Sequence, residues 1–96
     1  MFRSTHILSG ATLYEKPPQT IQDFQTALAA LREKQAVFAA LEAAERARML
    51  ATFADRLEAA APRLAHMICE EVGRCLRECQ AELAKSVELV RHCAQT

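Results

Sequence analysis

The sequence predicts a mainly α fold, with four helices at roughly 20–40, 44–60, 62–72 and 76–94 behind a short irregular or hairpin arm. Three observations predict it. Glycine and proline are scarce, two and three in 96 residues, which disfavours turn-rich β structure. Apolar residues recur at steps of three and four along most of the chain. Thr20, Pro62 and Gly73 stand where helices begin and end. The chain therefore divides into an arm, 1–19, and a helical segment, 20–96.

In the arm, Ser9-Gly10 and Pro17-Pro18 are turn signals. Ala11 to Glu15 between them suits a short strand, half of a hairpin. An isolated hairpin is marginal in water, so the arm is expected to be ordered only where it packs on something. Thr20 suits the N-cap of the first helix, its hydroxyl accepting from the Asp23 amide. Asp23 places negative charge in the first turn, where the helix dipole favours it. Ile21, Phe24, Leu28, Leu31 and Phe38 form the apolar stripe, interrupted by Gln35. The stripe is heptad-like over too few turns for a coiled coil.

No strong stop signal lies near Leu41, so periodicity alone allows one helix from Ile21 to Ala60. The buried face of the second helix is expected to be Ala47, Leu50, Phe53, Ala54 and Leu57. Pro62 suits the first turn of a third helix, where its missing N–H costs nothing. Leu64, Ile68 and Val72 give that helix its apolar side, and Gly73 ends it in the left-handed conformation. Along the fourth helix, Leu76, Cys79, Leu83, Val87, Val90 and Ala94 repeat at helical spacing.

Composition narrows the function. Twelve basic residues balance twelve acidic ones, which leaves no electrostatic footprint for nucleic acid or an anionic membrane. No apolar run reaches membrane-spanning length, and the first ten residues lack the apolar core of a secretory signal. The four cysteines, Cys69, Cys75, Cys79 and Cys93, read as reduced, metal-free thiols of a cytoplasmic protein. Their spacing lacks the paired knuckles zinc prefers. His6, His66 and His92 have no catalytic partner at a recognisable spacing. One glycine before Arg74 is a helix cap rather than a phosphate cradle.

Several separated motifs agree in order with one family. Phe38 stands where a bulky aromatic closes a first helix, and Arg46-Ala47 opens the next. Glu71-Val72-Gly73-Arg74 matches a Glu-x-Gly-Lys pattern, with Arg for Lys and Cys75 where proline is common. Glu82-Leu83 stands for a Glu-Val pair, and Arg91-His92-Cys93-Ala94 for an Arg-Tyr-Tyr-Ala ending. This set resembles the N-terminal part of aldehyde dehydrogenases, NAD(P)-dependent oxidoreductases that turn aldehydes into carboxylic acids. The arm matches poorly, with Ser9-Gly10-Ala11-Thr12 only a faint echo of the family's turn. Gln80 to Val87, with Ala84-Lys85-Ser86 inside it, is most similar to the bacterial succinate-semialdehyde branch.

The resemblance implies a helical layer of a cofactor-binding domain. It implies that the NAD-binding sheet, the nucleophilic cysteine and the catalytic glutamate come later than Thr96. No catalytic, cofactor-binding or metal residue is therefore expected in this chain, and NAD or NADP belongs to the whole enzyme. Ala81 and Lys85 match positions that face the substrate entrance, where Lys85 attracts an anionic semialdehyde. The expected partners are the remainder of the dehydrogenase chain or a second copy. Phe24, Leu28, Leu31, Phe53, Leu57, Val87 and Val90 are expected to form an exposed stripe. The alternative is a free-standing helical module that acts only by binding other proteins.

Overall fold

The computed structural model describes residues 1–95. Strands β1 (Phe2–Thr5) and β2 (Thr12–Lys16) form an antiparallel hairpin, followed by helices α1 (Ile21–Ala39), α2 (Ala43–Val72) and α3 (Leu76–Gln95). No strand occurs between residues 21 and 94.

The arm is a regular hairpin with both strands present. Phe2 pairs with Lys16, Arg3 with Glu15 and Ser4 with Tyr14, and a bulge follows at Thr5. The Arg3 Nε donates to Glu15 Oε1 across the ladder at 2.7 Å. Gly10, at φ +73°, supplies the left-handed residue of the turn. His6 organises the same turn: its Nδ1 accepts from the Leu8 and Ser9 amides at 3.2 and 3.3 Å. The hairpin is anchored on α2, where the Ile7 amide donates to the Glu70 carbonyl at 2.9 Å.

The first helix begins as its cap predicts. The Asp23 amide donates to the Thr20 hydroxyl at 3.0 Å. The Asp23 carboxylate in turn accepts from the Thr20 amide at 2.9 Å, which completes a reciprocal capping box. Hydrogen bonding from Thr20, its backbone amide first and its side chain second, holds the Asp23 carboxyl below its usual range. The helix ends at Ala39 and α2 starts at Ala43, each within one residue of the bounds expected at 40 and 44.

Two of the four expected helices are one. α2 runs without interruption from Ala43 to Val72, so the boundary expected at 60–62 does not exist. Pro62 lies inside α2, although an interior proline removes one helical hydrogen bond and typically costs about 3 kcal/mol. Continuous packing on α3 outweighs that local penalty. Ala54 and Ala65 lie on either side of Pro62, and both are fully buried. Flanking alanines, Ala59 to Ala61, are the strongest helix formers.

Gly73 closes α2 in the left-handed conformation, φ +81°, and its amide donates to the Cys69 carbonyl. α3 then folds back along α2. Its inward face is the expected one: Cys79, Leu83 and Val87 are buried, and Leu76, Val90 and Ala94 are half-buried. Val87 is therefore core, not part of an exposed stripe. Phe53 and Val72, expected inside, are more than half exposed because α3 covers a narrower arc of α2 than their helical positions require.

The molecule is one layer thick. Its principal extents are 49 × 37 × 15 Å, and a helix with its side chains spans about 10–12 Å. The radius of gyration is 17.2 Å, against about 12.5 Å for a compact domain of this length. The accessible surface is 7848 Å², where a compact monomer of this mass exposes about 5,500 Å². The buried core among the described residues is Ala54, Ala65, Cys79, Leu83 and Val87. α1 buries none of its residues.

Candidate functional site

The Glu71–Arg74 motif lies at the corner where α2, α3 and the hairpin meet. Gly73 is required there twice over. Its backbone has positive φ, and a Cβ at this position would lie 3.1 Å from the Ile7 side chain. Arg74 turns toward α3 and forms ion pairs with Glu82 and Glu78. All three side chains are substantially exposed, so these pairs orient the corner more than they stabilise it.

Ala81 and Lys85 are both exposed on α3, one turn apart. They line a shallow surface depression with Arg74, Glu78 and Glu82. The two carboxylates on this face are held by Arg74, and the Lys85 ammonium makes no ion pair among the described residues. The depression presents charge without a nucleophile–base pair or a ring of backbone amides. Its two cations, Arg74 and Lys85, stand beside two carboxylates, Glu78 and Glu82.

The other motif residues are architectural. Phe38 is half-buried in the last turn of α1, beside Ala43, Ala47, Leu50, Cys93 and Ala94. The Arg46 guanidinium donates to the Ala39 and Leu41 carbonyls, which closes the C-terminal end of α1 against the start of α2. Arg91 reaches from α3 to Asp55 and Glu58 on α2, pairing with Glu58 through both guanidinium nitrogens at 2.9 and 3.2 Å. Hydrogen bonding to Arg91 holds the Glu58 carboxyl below its usual range, and the attraction between the charges adds to it. Cross-helix pairing of this kind has no signature in a single sequence. The docking of Ile7 on Gly73 has none either, because Ile7 reads only as an apolar residue beside a turn.

No disulfide joins the cysteines among the described residues: Cys79 is buried, Cys69 intermediate, and Cys75 and Cys93 exposed. Burial pushes the Cys79 thiol up, and the neighbouring Cys69 adds to that shift. Among the described residues no group of three or more His, Cys, Asp or Glu side chains is placed to hold a metal ion. No described helix is long and apolar enough to cross a membrane.

Comparison with curated proteins finds no match, and comparison with solved structures finds none. The aldehyde dehydrogenase family model matches residues 2–96. That match includes the arm, where the sequence motifs are faint, and all three helices. With nearly every residue inside the match, the chain belongs to the aldehyde dehydrogenase family.

Proposed function

We propose that this chain is the N-terminal helical part of an NAD(P)-dependent aldehyde dehydrogenase, without activity on its own. The observation that carries this reading is the family match over residues 2–96 on a chain whose fold is a single open layer. About 2,300 Å² more surface is exposed than on a compact monomer of the same mass, an excess larger than a standard protein interface. A helical layer belonging to a larger domain has this character. The sheet among the described residues is a two-stranded hairpin, and the glycine at the α2–α3 corner packs against Ile7. Calorimetric titration of the chain with NAD and with NADP tests the reading. No specific heat is expected, and saturable binding at micromolar concentration would overturn it.

Within the assembled enzyme, Ala81 and Lys85 border the substrate entrance and Lys85 favours an anionic semialdehyde of the succinate-semialdehyde type. The support is the run Gln80 to Val87, together with the exposure of Lys85 on α3. Lys85→Gln in that enzyme is expected to raise KM for a semialdehyde acid and not for an uncharged aldehyde of equal length. An equal effect on both substrates argues against the assignment. The free-standing interaction module remains the second reading, because α1 presents Ile21, Phe24 and Leu31 to solvent.

A further inference from the structure

The α2–α3 turn gathers three thiols at three depths. Cys75 is exposed in the turn, Cys69 is intermediate on α2, and Cys79 is fully buried on α3. Cys69 and Cys79 are equidistant in sequence from Arg74, the middle of the turn, so an antiparallel helix pair sets them at one level. Cys79 belongs to the buried cluster with Ala65 and Leu83, and Cys69 packs against that same cluster. Packed helices lie about 8–10 Å apart, and their Cα atoms stand about 2.3 Å off each axis. Facing positions therefore approach to about 3.4–5.4 Å, a range that overlaps the roughly 4.4–6.8 Å a disulfide spans.

We propose that Cys69 and Cys79 form a reversible dithiol–disulfide pair that staples α2 to α3 beside the Gly73 turn, with a low-molecular-weight disulfide as oxidant. The order of events follows accessibility. Cys69, reachable from solvent, loses its proton and attacks one sulfur of glutathione disulfide. That S–S bond breaks, and one glutathione leaves as a thiolate that takes up the proton. Cys79 then loses its proton, attacks the Cys69 sulfur and expels the second glutathione, which is protonated in turn. Two protein thiols are oxidised to one disulfide, and one glutathione disulfide is reduced to two thiols. The buried Cys79 thiol, held up by its apolar surroundings, makes the second displacement the slow one. This inference is independent of the dehydrogenase reading, because it uses only the packed hairpin.

The sequence makes the test direct, because trypsin places each cysteine in its own peptide: 64–74, 75–77, 78–85 and 92–96. The chain is equilibrated with glutathione disulfide, alkylated, digested and analysed by mass spectrometry. The expected product is peptide 64–74 joined to 78–85, with Cys75 and Cys93 still alkylated, reversed by dithiothreitol. The double variant Cys75→Ser, Cys93→Ser is expected to keep the cross-link and to melt at a higher temperature when oxidised. Cys79→Ala, with its helix content checked by circular dichroism, is expected to stop at glutathione on Cys69. Four alkylated thiols at saturating oxidant overturn the proposal. So does a link from 75–77 to 78–85, or glutathione persisting on Cys69 while Cys79 stays alkylated. Should Cys79→Ala fail to fold, the double variant decides alone.

Discussion

α1 and the α2–α3 pair are built from the same materials and end up in opposite states. Both are alanine-rich, both carry apolar residues at helical spacing, and both have a recognisable terminator or cap. In α2–α3 the apolar faces meet, and Ala54, Ala65, Cys79, Leu83 and Val87 leave solvent. In α1 the stripe is covered only toward its end, at half-buried Phe38, and Ile21, Phe24 and Leu31 remain well over half exposed. A helix held by tertiary packing can absorb a proline in its middle, as α2 does. A helix of 19 residues without packing depends on its caps and propensities, and such helices are marginal in water. Sequence periodicity announces an apolar face without saying what covers it.

The sharpest way to break this contrast is to remove one leucine from each region. Leu83→Ala empties a buried site and is expected to cost about 2–4 kcal/mol, enough to unfold much of so small a domain. Leu31→Ala, on an exposed face of the isolated chain, is expected to change stability by about 0.5 kcal/mol or less. Urea denaturation followed by circular dichroism compares the two. Equal losses would mean that α1 is packed in solution.

Next in size is the corner that ties the hairpin to the helices. Gly73→Ala forces a side chain into a positive-φ backbone and against Ile7, and is expected to cost about 1–2 kcal/mol. Hydrogen exchange reads the local part of the effect. The Ile7 amide, which donates to the Glu70 carbonyl, should lose protection before the α3 amides do. Unchanged exchange at Ile7 would show that the hairpin does not need this corner.

The smallest effect belongs to the cap of α1 and sharpens the contrast from the other side. Thr20→Ala removes the acceptor for the Asp23 amide and is expected to fray the first turn of α1, leaving the Leu83 region untouched. Acid does the same through the other half of the box. The Asp23 carboxyl titrates lower in the folded chain than in the unfolded one, so its contribution is present above the unfolded carboxylate range. It is lost as pH falls through the folded value. Glu58 follows the same sign through Arg91, which loosens the α2–α3 clasp in acid. An Asp23→Asn chain, which has no carboxyl to titrate there, should therefore show a weaker loss of α1 helicity on acidification than the parent chain.

These regions also show what a single sequence carries. Thr20 and Gly73 were readable because capping and left-handed termination have local chemistry that names the residue. The inward face of α3 was readable because one dominant partner, α2, imposes the helical period on it. Pro62 misled because the signals for a first-turn proline and an interior proline are identical. Only the burial of Ala54 and Ala65 on α3 separates them, and that contact is not local. The Ile7–Gly73 docking and the Arg91 clasp were invisible for the same reason. At the candidate site, Ala81 and Lys85 came from family resemblance, and the structure adds their exposure and their charged neighbours without assigning their role.

Static light scattering of the purified 96-residue chain across a concentration series tests the account most directly. An open layer with the α1 stripe exposed is expected to associate, giving an apparent mass that rises with concentration. A monomer of 10.7 kDa at every concentration, with a sharp thermal transition, would contradict the account and establish the helices as a complete core of their own.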